Sequence, residues 1–348
     1  MNARQREGSK SKLPVNGLAI FAGFVIIVLM VVTIGGNVLF DRSLASGQNG
    51  TTQQTSSTSS SSSAPAVAVT AAQPAMPALA TTSAASALFS PPAENTLPEG
   101  EYGKVISLGE KIFMETGKYA PGYVGNNLNC VNCHLDAGRK PYSSPLWAAF
   151  VHYPAFRSKT GKVDTLASRI QGCFLFSMNG KVPPLDDKIM TALQTYAFWL
   201  AKGARVGEPM EGSGYPKLNK PTLSPDYARG EKVYVQNCAL CHGANGEGTR
   251  ADGHQVFPPL WGDKSFNWGA GMHQIANAAG FIHANMPLGK GATLSEQEAW
   301  DVAIYMNSHE RPQDPRFTVS VAATRKQYHD TDDSMYGRTV NGHVLGTP

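Results

Sequence analysis

Two short segments carry the clearest chemistry in the chain. Cys130-Val-Asn-Cys133-His134 and Cys238-Ala-Leu-Cys241-His242 each set two thiols three positions apart, with an imidazole directly after the second. Thiols so spaced can each form a thioether with one of the two vinyl groups of a single haem. The next residue, histidine, then reaches the iron from the same face. Zinc would want two further ligands at matching spacing in each segment, and those are absent. A redox dithiol of thioredoxin type would sit in a βαβ context, also absent. The reading is therefore two covalently attached haem c groups. Cys130, Cys133, Cys238 and Cys241 are the attachment residues, and His134 and His242 are the proximal iron ligands.

The chain has five cysteines, so Cys173 is left without a near neighbour. Size and this odd count exclude a disulfide-stapled mini-protein. An unpaired thiol in an oxidising compartment is an oxidation liability, which invites a functional reason for Cys173. Arg169 lies four positions earlier, on the same face if the segment is helical, and a guanidinium beside a cysteine favours the thiolate. The bland alternatives are a buried inert thiol and a surface arginine with a snorkelling stem. Spacing nominates a different ligand for the first iron. Met178 lies as far beyond His134 as Met286 lies beyond His242, so Met178 and Cys173 both stay open.

These residues must be positioned by elements, and the pattern is helical. GEKIFMETGKY, NCVNCH and DDKIMTALQTYAFWLAKG follow one another in the first half; GEKVYVQ, NCALCHG and LSEQEAWDVAIYMNS follow in the same order in the second. Internal duplication of one small helical module explains the repeat. The second module resembles a class I cytochrome c. In that family the axial methionine stands where Met286 stands here, and Pro287 fixes such a ligand loop. Met272, His273 and His283 are the rival ligands. A Gly/Pro-rich stretch, 207–223, reads as the connector. The tail from 313 to 348 lacks clear periodicity and is expected to pack as an extended arm.

Of the 348 residues only 16% are charged, and the net charge is +4, too mild for a nucleic-acid partner. The first residues hold Arg4, Arg6, Lys10 and Lys12 against Glu7, and then no charge occurs from Leu13 to Phe40. The apolar centre, Leu18 to Gly36, is 19 residues long. At helical rise it spans about 28 Å, close to the thickness of a bilayer's hydrocarbon core. A cleaved signal peptide normally has a shorter apolar core, and no cysteine follows for a lipoprotein anchor. A cation-rich flank stays in the cytoplasm, so the rest of the chain is expected on the periplasmic side of the inner membrane. Ser43 to Ala93 is uncharged and rich in Ser, Thr and Ala, and cannot offset its ordering entropy by burial.

The expected architecture is mainly α: two tandem class I-like cytochrome c domains after a single transmembrane helix and a disordered linker. Residues 1–16 are the basic cytoplasmic end, 17–40 the anchor in the lipid bilayer, and 41–99 the flexible linker. Residues 100–206 form the first cytochrome domain and 224–312 the second.

The segments NLNCVNCHLDAGRKPYSSPLWAAF, RIQGCFLFSMNGK, CALCHG and FPPLWGDKSFNWGAGMH resemble the dihaem thiosulfate dehydrogenases, from about Gly100 to the C-terminus. RIQGC with SMNGK is the most specific of these signals. The resemblance implies that Cys173 is the distal ligand of the first haem, with Met178 its neighbour, and that Arg169 lines the substrate site. His242 and Met286 would hold the haem from which electrons leave. The implied reaction joins two thiosulfates into tetrathionate and releases two electrons. A small soluble cytochrome c or a membrane oxidase would accept them. Some of Arg157, Lys159 and Lys162, in FRSKTGK, are expected to offset the repulsion between two dianions, the bland alternative for Lys159 and Lys162 being a solvated basic loop. Two other readings stand beside this one: a non-catalytic dihaem electron carrier with Met178 on the first iron, and the same enzyme run as a tetrathionate reductase.

Overall fold

Both modules begin with a helix whose Gly-Glu-Lys glycine meets the module's last helix, and that meeting organises each core. A computed structural model describes residues 88–347, and both modules lie in one compact unit. In the first module helix Gly100–Met114 crosses Lys188–Leu200; in the second, Tyr227–Asn237 crosses Glu296–Asn307. A Cβ on Gly109 would lie 2.2 Å from the Ala192 carbonyl oxygen and 2.7 Å from Tyr196 Cβ. A Cβ on Gly230 would lie 2.0 Å from the Asp301 carbonyl oxygen and 2.8 Å from Tyr305 Cβ. The two crossings are the same contact made twice. Only glycine allows the backbones that close.

Polar side chains start these helices. Asp187 accepts from Ile189 N–H at 2.8 Å, and Asp226 accepts from Arg229 N–H at 2.8 Å. Ser295 and Glu298 form a reciprocal capping box. Around the first crossing Ile106, Ile112, Trp147, Tyr196 and Leu200 are fully buried. Around the second, Tyr234, Trp268, Ala299, Val302 and Tyr336 make a separate core. One strap joins them. Phe266 and Ala270 sit in the first core, although the second module's sequence supplies them, while Trp268 between them belongs to the second.

The structure departs from the sequence reading in three places. Residues 88–99, expected in the flexible linker, are docked on the first module. Phe89 packs 5.0 Å from Trp147, and the Pro92 carbonyl accepts from Arg139 Nη1 at 2.5 Å. Two apolar side chains, Phe89 and Leu97, suffice to hold this end of an otherwise polar segment. The C-terminal tail is not simply extended: it forms helix Val321–Tyr328 and a small hairpin, Thr339–Val340 with His343–Val344. It buries Met335, Tyr336 and Leu345 in the second core. Third, the α-helical framework carries two more small hairpins, Ala155–Arg157 with Lys162–Asp164 and Thr249–Ala251 with His254–Phe257.

The connector is pinned to both modules. Gly212 and Gly214 carbonyls accept from Tyr142 and Ser144 N–H, and the Asn219 carbonyl accepts from Trp300 Nε1 at 3.0 Å. The expected anchor at 17–40 and most of the expected linker lie outside the described residues. Among the described residues, no helix is long and apolar enough to cross a membrane.

Candidate functional site

Each attachment motif sits on a short helical turn: Ala239–His242 directly follows the second module's first helix, and Cys130–Asn132 follows the first module's after two short helices, Thr116–Tyr119 and Pro121–Tyr123. The turns hold their histidines alike. His134 Nδ1 faces the Ser144 carbonyl at 2.6 Å, and His242 Nδ1 faces the Pro258 carbonyl at 2.9 Å. A carbonyl at Nδ1 fixes the proton there and leaves the Nε2 lone pair for a metal. Burial pulls His134 down to about 4, against the Ser144 hydrogen bond, and the Arg169 cation lowers it further. Burial also lowers His242. Both imidazoles are thus kept neutral, the form that ligates iron.

The cysteines fit the same group. Burial pushes the Cys130 thiol up to about 12, with Thr116 Oγ1 donating to its sulfur at 3.3 Å. Burial pushes Cys133 up to about 12 and Cys238 to about 11. Such thiols are poor free nucleophiles, which suits residues held as thioethers. Charge interaction with Cys173 adds to the rise at both Cys130 and Cys133. Paired buried thiols and histidines kept neutral fit a covalently bound haem in each module.

Helix Leu166–Gly172 runs into a π-helical turn, Cys173–Ser177. Thr165 caps the helix, accepting from Ser168 N–H. Single π-turns inside helices recur at functional sites, where the extra residue re-aims a side chain. Here Arg169 Nη1 donates to Cys173 Sγ at 2.9 Å, and the arginine's pKa is raised, first by its charge interaction with Cys173. Met178 follows the turn. Its side chain is 3% exposed in the first core, while its N–H donates to the Cys173 carbonyl at 2.9 Å. In the second module Met286 directly follows helix Ile275–Asn285 and packs on the second core. Of its rivals, Met272 packs against the first core, and His273 is bonded at both nitrogens, to Ala270 O and His329. His283 faces the Leu294 carbonyl.

A cavity of about 230 Å³ opens beside Arg169, and the hairpin Ala155–Arg157 with Lys162–Asp164 forms one wall. Arg157 and Lys162 are direct cross-strand partners. Like charges placed so are destabilising without a counter-charge. Only Asp164 answers them among the lining residues, 3.7 Å from Arg157 Nη1. Lys159 donates to the Gly269 carbonyl and lies 4.2 Å from the Phe176 ring centroid. Burial first, then the charges of Arg169, Arg316 and Arg157, bring Lys159 down to about 7. Four cations around one carboxylate make this a site for a multiply charged anion. Three cations came from one sequence segment and were legible. Phe176 and the strap residues Asn267 and Gly269 were not singled out, because their partners are distant in sequence, and Asp164 was not, although Arg157 and Thr160 are near it.

Residues 123–206 match the family described as SoxA/TsdA, cytochrome c domain, and residues 225–306 match cytochrome c oxidase, cbb3-type, subunit III. The chain is 58% identical over 260 residues to a thiosulfate dehydrogenase of Thiomonas intermedia (strain K12), covering 75% of this chain and 83% of that relative. The chain belongs to the thiosulfate dehydrogenase family. A second family member, from Stutzerimonas stutzeri (strain A1501), is 52% identical over 265 residues, covering 76% of this chain and 86% of the relative. A solved thiosulfate dehydrogenase, TsdBA from Marichromatium purpuratum, superposes with a TM-score of 0.73 at 50% identity. That match covers 75% of this chain and 58% of the other. The family's dihaem c-type character agrees with the two attachment motifs.

Proposed function

We propose that this thiosulfate dehydrogenase oxidises two thiosulfates to one tetrathionate in the cavity beside Arg169 and Cys173. One sulfur–sulfur bond forms, two electrons leave, and no proton is exchanged. The observation that carries the reading is the 2.9 Å contact from Arg169 to Cys173 at the edge of a cation-lined cavity. Arg157, Lys159, Lys162 and Arg169 hold the two dianions together against a repulsion that water would otherwise screen. Arg169 also orients the Cys173 sulfur through its 2.9 Å hydrogen bond. The haems, when bound, supply two one-electron acceptors. Cys173 and His134 would hold the first, and Met286 and His242 the second. A thioether would raise the potential of the group it holds and a thiolate would lower it, so Met286 and Cys173 would set the two groups' potentials apart.

The reading extends to an N-terminal anchor at 17–40 that holds the folded domains on the periplasmic side, near a cytochrome or oxidase acceptor. It rests on the uncharged apolar run behind a basic flank and on the export that haem c attachment requires. Removing the anchor while retaining export should leave turnover with an artificial acceptor intact and lower thiosulfate-dependent oxygen uptake by membranes. Unchanged respiration would refute the anchor. The activity itself is tested by mixing the purified haem-loaded chain with thiosulfate and ferricyanide and measuring tetrathionate. One tetrathionate per two thiosulfates is expected, and haem oxidation–reduction without tetrathionate would leave an electron carrier.

A further inference from the structure

A π-turn interrupts the regular helical ladder, so its carbonyls need partners from elsewhere. In Cys173–Ser177 all five find one. The Cys173 carbonyl accepts from Met178 N–H and the Phe174 carbonyl from Gly180 N–H, both at 2.9 Å and both local. The Leu175 carbonyl accepts from Asn267 Nδ2 at 3.0 Å. The Phe176 carbonyl accepts from the Asn267 backbone N–H at 3.2 Å, with Asn179 N–H further off at 3.4 Å. The Ser177 carbonyl accepts from Asn126 Nδ2 at 2.8 Å, and the same amide reaches the Ser265 carbonyl at 3.1 Å. The turn that presents Cys173 is thus held from the second module's strap, chiefly by one residue.

Asn267 is fully buried, and its side chain is fully used. Nδ2 spends its second proton on Asn179 Oδ1 at 3.0 Å, while Oδ1 accepts from Gly269 N–H at 3.0 Å. Aspartate has the shape without the donors, and an apolar residue has neither. Beyond it, a Cβ on Gly269 would lie 2.3 Å from the Phe176 ring, so the strap also fixes that aromatic side chain sterically. Phe266 and Ala270, on either side, are anchored in the first core.

We propose that Asn267 is a positioning residue for the Cys173 sulfur, through which the second module sets the ligand geometry of the first. The proposal rests on the reading of Cys173 as the first haem's distal ligand. It makes the catalytic module dependent on its neighbour for geometry as well as for electron removal.

The test uses the full haem-loaded chain, comparing Asn267→Ala, Asn267→Asp and Cys173→Gly by electron paramagnetic resonance, turnover and thermal unfolding. In Asn267→Ala the first-haem signal should divide into more than one ligand geometry while the second-haem signal stays as it was. Turnover should fall by up to about 10²-fold, the cost of a misplacement near 1 Å. Asn267→Asp should do the same, since a carboxylate oxygen would face the Leu175 carbonyl. Should neither variant accumulate folded, Asn126→Ala breaks the adjoining bridge and should broaden the same signal. A lowered unfolding temperature with an unaltered first-haem signal would overturn the proposal, because a residue that only joins the modules would do that. Cys173→Gly separates the two ideas. If it leaves the first-haem signal unchanged, the ligand reading fails; if it changes the signal and Asn267→Ala does not, only the positioning proposal fails.

Discussion

Lys159 stands where a charged lysine is costly, and Lys159→Met separates the cost from the benefit. Burial and three neighbouring arginines bring it from the ordinary 10.5 down to about 7. At about 1.4 kcal/mol per unit, holding it charged at acid pH costs on the order of 5 kcal/mol. Methionine removes that cost but also the contact with the Phe176 ring and the hydrogen bond to Gly269, each worth about 1 kcal/mol. After discounting for partial exposure, the variant should be stabilised by about 2 kcal/mol at pH 6. The sign follows from proton counts. Between about 7 and 10.5 the unfolded chain holds this proton and the folded chain does not, so wild-type stability rises with pH there. The full penalty applies below that window, so the variant's advantage is largest at pH 6 and shrinks toward pH 9. The benefit runs the other way. Thiosulfate is a dianion throughout, and wild type should lose affinity as Lys159 deprotonates above about 7. Lys159→Met should raise KM about tenfold at pH 6, the equivalent of about 1.4 kcal/mol, and flatten the profile above it. Thermal unfolding at pH 6 and 9, with KM measured from acid to alkaline pH using ferricyanide, reads both effects. A variant no more stable at pH 6, or one that keeps the wild-type KM profile, would refute the assignment.

Two further substitutions probe the frame and the site. Gly230→Ala should destabilise by about 1–3 kcal/mol, because the new Cβ forces the helices at Asp301 apart and this outweighs the roughly 1 kcal/mol gained in helix propensity. Gly109→Ala should behave likewise against Ala192; denaturant midpoints that do not fall would contradict the duplicated crossing. Arg169→Gln removes a cation that stabilises the more negative, reduced state beside Cys173. With about 1.5–3 kcal/mol for a charge-assisted hydrogen bond, the first-haem potential should drop by roughly 60–130 mV, and thiosulfate turnover should fall with it. A potential that does not move would mean that the 2.9 Å contact is not made to a thiolate.

What the sequence discloses follows the range of the interactions. Cys130 to His134 and Cys238 to His242 are legible because thioether and iron chemistry constrain neighbours within five positions. Arg169 and Cys173 are legible as a helical i, i+4 pair, and the structure places them in contact. Spacing alone leaves Cys173 and Met178 both open, and the π-turn Cys173–Ser177 that runs between them carries no sequence signal. Phe89 and Leu97 hold residues 88–99 against the first core, yet two apolar residues in a polar segment carry no periodic signal. Tyr336 and His329, fully buried, make the tail part of the second core with only one short helix to announce it. Asn267 is the furthest case: its partners Leu175 and Asn179 lie in the other module, and only the folded chain brings them within 3.0 Å.

The central claim is that Cys173 makes this chain an enzyme, and stopped-flow reduction of the purified, haem-loaded protein by thiosulfate tests it most directly. Wild type should be reduced rapidly by thiosulfate, first haem then second. Cys173→Gly should keep both haems and accept electrons from dithionite, yet show no reduction by thiosulfate on the turnover timescale. Reduction of Cys173→Gly by thiosulfate at the wild-type rate would contradict the account.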